Sequence, residues 1–143
     1  MDYKIKDPNW IAGFTSGEGS FMINILNSSS NLIGFQVTAI FQLTQHIRDE
    51  QLMKSLIEFF DCGKLYIYKE YKDTVNFKVQ NSLDLTEKIL PFFQKYPNQG
   101  VKLLDYLDFV SVIEIIKNKR HLTQTGLDEI RKINSRMNKK RSE

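Results

Sequence analysis

Glu18 is the residue in this sequence whose setting most invites chemistry. It stands in the run Trp10-Ile11-Ala12-Gly13-Phe14-Thr15-Ser16-Gly17-Glu18-Gly19-Ser20-Phe21, at the end of a short helix predicted from Pro8 to about Gly17. Asp7 before Pro8 reads as the N-cap and proline at the first helical position. The macrodipole disfavours a carboxylate at a helix C-terminus. The last-turn carbonyls there, Gly17's among them, lack intrahelical partners. A carboxylate beside free carbonyl oxygens is a hard, oxygen-rich donor set suited to Mg²⁺, and a divalent cation would offset both unfavourable terms. The plain alternative is that Gly-Glu-Gly is only a helix cap. Gly13 and Gly17 lie four apart, with Ala12 and Ser16 as a second small pair. Gly13 costs the helix about 1 kcal/mol relative to alanine. Small residues at this spacing let two helices approach closely, a device best attested in membranes. In a soluble chain they predict tight packing against a partner helix, its own symmetry mate among the candidates.

The elements that must position these residues follow from periodicity. From Gly19 the pattern has period two: Phe21, Ile23 and Ile25 alternate with Ser20, Met22, Asn24 and Leu26, which predicts a half-buried strand. Asn27 to Asn31 is a polar turn, and a second strand carries Val37, Ala39, Phe41 and Leu43 inward against Gln36, Thr38, Ile40 and Gln42. From about Ile47 the period is helical, with Leu52, Leu56 and Phe59 or Phe60 on one face and Gly63 as the stop. Leu65 and Ile67, then Val75, Phe77 and Val79, alternate with polar residues as a second hairpin turning at Lys72-Asp73. A helix from about Ser82 is expected to be interrupted at Pro91. A longer one, from about Gly100 to Lys117, is expected to bury Leu104, Leu107, Val110, Ile113 and Ile116. The last, from near Thr123, carries Leu127, Ile130, Ile133 and Met137. With no internal repeat and no linker, residues 1–143 read as one α+β domain with a four-stranded antiparallel sheet.

Helices must cover one face of that sheet. The other presents Ser20, Met22, Asn24, Leu26, Gln36, Thr38, Ile40, Gln42, Tyr66, Tyr68, Asn76, Lys78 and Gln80. Amides, phenols and lysine predominate among its polar members, the groups that read base edges and phosphates, and a β-ribbon enters the major groove. The competing reading is an ordinary solvated sheet face.

Composition sets bounds without deciding. At 143 residues with 41% hydrophobic and 12% aromatic residues, the chain has the material for a core. Its net charge of +3 is compatible with nucleic acid without identifying a binder. Arg131, Lys132, Arg136, Lys139, Lys140 and Arg141 crowd the C-terminus, either as a solvated helix end or as a phosphate contact. Cys62 is the one cysteine, which excludes an intramolecular disulfide and fits a reducing compartment. No segment approaches the roughly 20 apolar residues of a membrane span, so no membrane partner is expected. The start MDYKIKDPNW has neither a signal-peptide core nor a transit-peptide pattern. The chain is therefore expected to be used where it is made, or to be a fragment of something longer.

The first helix resembles the LAGLIDADG motif of homing endonucleases, with Ile11 to Gly19 standing in its nine positions. Distant blocks strengthen the resemblance: Phe41-Gln42-Leu43-Thr44-Gln45, Pro91-Phe92-Phe93 through Tyr96-Pro97, Gln99-Gly100-Val101-Lys102 and Asn118 to Thr123, similar to fungal-organelle members. The resemblance implies an αββαββα fold with a DNA-binding sheet and site-specific double-strand cleavage of DNA. It implies Glu18 and the Gly17 carbonyl as ligands of Mg²⁺, with Mn²⁺ or Ca²⁺ able to substitute in binding. It also implies Gln45 as a residue ordering the nucleophilic water and Lys102 as a base or charge stabiliser at the phosphate. Near Asp49, where some relatives carry a further basic residue, this chain is acidic, so a third active-site cation is unassigned.

The chemistry needs two motifs and the sequence holds one. The direct expectation is a homodimer packed through Ala12, Gly13, Ser16 and Gly17, cutting a long near-palindromic site in an organelle matrix, the mitochondrion foremost. The alternative is half of a two-motif protein, whose C-terminal half this chain resembles in detail. Rival functions are an RNA maturase acting on intron RNA and a non-catalytic DNA-binding module. Other nuclease types find little support, because neither His46 nor His121 stands in a metal-protease or H-x-E setting. Glu70-Tyr71-Lys72 is too common a tripeptide to count.

Overall fold

The computed structural model describes residue 5, residues 7–68 and residues 73–138. Glu70, Tyr71 and Lys72, half of the N-terminal stretch read for a leader, and Lys139, Lys140 and Arg141 of the basic run lie outside the described residues. Helix α1 (Pro8–Glu18) runs directly into strand β1 (Gly19–Asn27), followed by β2 (Phe35–His46), α2 (Glu50–Phe60), β3 (Lys64–Tyr68) and β4 (Thr74–Val79). Then come α3 (Ser82–Asp84), α4 (Leu90–Lys95), α5 (Val101–Lys117) and α6 (Gln124–Asn134). The strands form one antiparallel sheet in the order β1-β2-β4-β3. This is the α+β arrangement expected. No helix among the described residues is long and apolar enough to cross a membrane.

Local signals explain most boundaries. Asp7 caps α1 by accepting the Asn9 N–H at 2.9 Å, with Pro8 opening the helix. Helix α2 closes in a left-handed residue, Asp61, at φ 55°. Gly63 follows where a Cβ would lie 2.5 Å from the Phe77 ring, so only glycine fits beneath β4. Thr123 caps α6 by accepting from Gly126 N–H, as the sequence suggests.

Two expectations fail for identifiable reasons. The predicted break at Pro91 does not occur. Residues Leu85–Ile89 widen into a π-helical turn between α3 and α4, with Leu90 N–H donating to Leu85 O. A wider turn tolerates a proline that cannot join the α-helical ladder, so the chain stays helical through it. The buried face of α5 also differs from the expected one. Leu104 and Leu107 are 47% and 51% exposed, while Tyr106, Phe109, Val112 and Ile113 are buried with Asp105 and Asp108. Apolar residues surround this helix, so their spacing does not single out a face. The choice falls to the aromatic fit and to partners for the two carboxylates.

That fit centres on Phe21. Its ring lies 5.1–5.6 Å from those of Phe41, Phe93, Tyr106 and Phe109, three of them steeply inclined to it or edge-on. Tyr106 donates its hydroxyl to Leu90 O at 2.8 Å, and burial raises its phenol pKa. The stretch Asn118 to Thr123 is the turn between α5 and α6, with Lys119 left-handed at φ 59°. A Cβ on Gly126 would come within 1.8 Å of Arg120 O, a backbone atom that has nowhere to go. Gly126→Ala should therefore destabilise the fold by about 1–3 kcal/mol, measured by denaturant unfolding. A variant as stable as the parent would mean this turn has slack that the geometry does not show.

Candidate active site and nucleic-acid interface

The helix-to-strand junction builds the site. Glu18 is the last residue of α1, exposed, and pairs with no cation among the described residues. Gly19 bends the chain into β1, donating its N–H to Thr15 O. A Cβ there would sit 2.6 Å from Thr15 Cγ2 and 2.7 Å from Thr15 O. The glycine is thus required by close approach, and it fixes where Glu18 leaves the helix.

Lys102, 83 residues on from Gly19, donates its ammonium to the Gly19 carbonyl. Gln45 arrives through the sheet: Gly19 lies opposite Leu43, and Gln45 is two residues further along β2. Its Oε1 accepts the His46 N–H at 3.0 Å. Glu18, Lys102 and Gln45 therefore come from three distant segments to one end of the sheet. Among the described residues no three side chains of the histidine, cysteine, aspartate and glutamate types cluster as a metal site. One carboxylate and a helix-terminal carbonyl still fit Mg²⁺, which keeps several waters and binds through one or two carboxylates plus phosphate oxygens. On this chain alone that donor set is half a site.

The loop before α5 is tied to α1 by residues that sequence reading assigned differently. Ser16 donates to Ala12 O at 3.0 Å and to Asn98 Oδ1 at 3.3 Å, and accepts from Gln99 N–H at 3.2 Å. Ala12 is 5% exposed. Ala12 and Ser16, expected at a dimer interface, are thus engaged by their own chain, while Gly13 and Gly17, about 100° further round the helix, carry the outward stripe. Gly13 and Gly17 are exposed, with nothing within 4 Å of an added Cβ. Beside them Trp10 is 42% exposed and stacks on Phe14 at 5.1 Å. Asn98 is fully buried and carries no sequence pattern that would have singled it out.

The sheet register sorts the expected reading face into cross-strand rows. Ser20, Gln42, Lys78 and Lys64 form one row, and Thr44, Asn76 and Tyr66 the next. Asn24 pairs with Thr38, and Leu26 with Gln36. Lys78 lies over the Tyr66 ring at 4.9 Å and the Tyr68 ring at 6.0 Å, so the phenols steady the cation. Gln80 follows β4 and is exposed. Ile40 is a correction: opposite Met22 and only 6% exposed, it fills the face instead of presenting a contact. Thr44 and Lys64 belong to the rows and were left out of the expected set, although alternation from Gln42 and Tyr66 points to both.

An α+β chain with an open polar sheet face and a lone carboxylate at a helix–strand junction has well-defined relatives. A family profile described as LAGLIDADG endonuclease matches residues 11–113, and the chain belongs to that family. "Probable intron-encoded endonuclease 3" of Neurospora crassa is 38% identical over 124 residues, covering 87% of this chain and 23% of that protein. The fold matches that of the homing endonuclease I-SmaMI bound to cleaved DNA, with a TM-score of 0.94 and 42% identity over 99% of this chain and 47% of that one. I-LtrWI bound to its target DNA gives 0.93 and 36%, over 98% and 47%. The chain thus spans about half of these structures and about a quarter of the Neurospora protein.

The outward glycines give a test of what they are for. Gly13→Ala should stabilise the isolated chain by roughly 0.5–1 kcal/mol, since it improves a helix and meets no atom. It should at the same time weaken association with a second motif helix, measured by sedimentation of a dilution series in the ultracentrifuge. Unchanged association would remove the glycine stripe from any interface.

Proposed function

We propose that this chain is one half-site-reading subunit of a metal-dependent, site-specific double-strand DNA endonuclease. The observation that carries the reading is the arrival of the Lys102 ammonium at the Gly19 carbonyl, beside exposed Glu18 and at the end of a polar sheet face. A plain binding module needs the face alone; a maturase can keep the same pairing, and Mg²⁺-dependent cutting of DNA is what separates it from an endonuclease. Glu18 and the Gly17 carbonyl would hold the divalent ion, which supplies charge stabilisation at the scissile phosphate. Lys102 would face the same phosphate, offsetting charge that builds on its oxygens or passing a proton. Gln45, its Oε1 occupied by His46, would present its amide N–H group to the attacking water. The rows from Ser20 to Lys64 and from Asn24 to Gln36 would follow the groove, with Tyr66 and Tyr68 backing Lys78.

The second carboxylate must come from a second motif. In a homodimer it is Glu18 of another copy, brought in by packing of the Gly13 and Gly17 faces, and the site cut is near-palindromic. The chain's coverage of 47% of I-SmaMI favours a second arrangement, in which it serves as one half of a two-motif protein. Light scattering with and without DNA separates the two. The intron-encoded Neurospora relative supports an organelle setting and leaves a secondary role on intron RNA open to assay.

Glu18→Gln should abolish cleavage, by about 10²-fold or more, while DNA affinity measured in calcium stays within about twofold. Equal cleavage by the variant would sink the assignment. Binding should weaken steeply with salt, as phosphate contacts require. Asn24, Gln36 or Lys78 substitutions should each shift base preference at one position by about 1–3 kcal/mol in a binding-site selection. Uniform weakening across all sequences would mean that the face does not read bases.

A further inference from the structure

A ring of contacts closes around the proposed catalytic pair, and its far member is a residue that no sequence pattern marks. Lys102 reaches Gly19 O by a long, flexible side chain, so its aim depends on how α5 is held relative to β1. One turn on from Lys102, Asp105 is 2% exposed and accepts the Asn138 backbone N–H at 3.0 Å. The Asn138 side chain donates its Nδ2 to Phe21 O at 2.9 Å, two residues past Gly19. The ring therefore runs from Lys102 to Gly19, along β1 to Phe21, across to Asn138, on to Asp105, and back along α5.

The local geometry suits this residue type. Asn138 is left-handed at φ 59°, a conformation that asparagine and glycine adopt far more readily than other residues. Its approach is fixed from two sides. Met137 is buried at 2% exposure, and Arg136 grips Asp108 with Nη2 at 2.8 Å and Nε at 3.2 and 3.3 Å from the carboxylate oxygens. Strand β1 is at the edge of the sheet, so one side of its backbone has no neighbouring strand to hold it. Met137 belongs to the buried core. The amide of Asn138 adds something else, a cross-link from the strand that follows Glu18 to the helix that carries Lys102.

We propose that Asn138 is a positioning residue for the reaction, keeping the Lys102 ammonium at the Gly19 carbonyl beside Glu18. The proposal rests on the endonuclease reading of that pair. The variant Asn138→Gly permits the left-handed backbone, keeps an N–H for Asp105 and removes the bond to Phe21 O. Asn138→Asp keeps the shape and turns an acceptor toward that carbonyl.

Both are compared with the parent in the assembled endonuclease, by single-turnover cleavage of pre-bound DNA, DNA affinity in calcium, thermal midpoint, and the ¹³Cε signal of Lys102 in lysine-labelled protein. Both variants should cleave about 10- to 100-fold more slowly, the loss expected of a misaimed catalytic group, with affinity within about twofold and a displaced Lys102 signal. Parent-like cleavage, or a loss that tracks affinity and thermal midpoint with the Lys102 signal unmoved, overturns the proposal. If the parent itself cuts no DNA and Glu18→Gln changes nothing, the endonuclease reading fails. The Lys102 signal then decides the clasp by itself: displacement in Asn138→Gly upholds it, and an unmoved signal removes it.

Discussion

The structure depends on one junction, where a helix becomes a strand with no loop between them. Gly19 takes up that change within a single residue, pressed against Thr15 so closely that no side chain can be added. A loop at this point would let the helix end wander relative to the sheet. Without one, the orientation of α1 and the register of β1 against β2 are parts of one rigid unit. Glu18 inherits its position from that unit, and Lys102 is drawn to the same junction through the Gly19 carbonyl. Unfavourable electrostatics at a helix C-terminus are thus tolerated where the geometry is least adjustable.

Much of this arrangement was legible in the chain because it rests on local rules. Period-two alternation gave the four strands and their faces, Asp7-Pro8 gave the start of α1, and Thr123 the start of α6. The parts that escaped depend on contacts between distant segments. The face of α5 is chosen by Phe21 and by Arg136 and Asn138, residues that spacing within the helix cannot see. Ala12 and Ser16 look equivalent to Gly13 and Gly17 in sequence, and only the Asn98 loop separates their roles. The roles of Gln45 and Lys102 came from resemblance alone, because a glutamine in a strand and a lysine near a helix start have no distinguishing pattern.

The two sides of α1 illustrate how one short helix serves two demands. Ile11, Ala12 and Thr15 are buried within the chain, while Gly13 and Gly17 leave open ground on the outside. The inward side contributes to this subunit's own stability. The outward side weakens the isolated helix, since each exposed glycine there forgoes roughly 1 kcal/mol that alanine would supply. Nothing among the described residues offsets that cost, since no atom lies within 4 Å of a Cβ added at either glycine.

The burial of Ile40 divides the sheet face. With Met22 opposite it, an apolar band crosses between the Asn24–Thr38 and Leu26–Gln36 pairs on one side and the Gln42–Lys78–Lys64 row on the other. Along β1 and β2 the two polar banks are thus held apart by one apolar cross-strand pair. One bank lies toward the β1–β2 hairpin tip and the other beside the helix–strand junction that carries Glu18. The outer bank shares no side chain with that junction, so its residues can vary without changing how the junction packs.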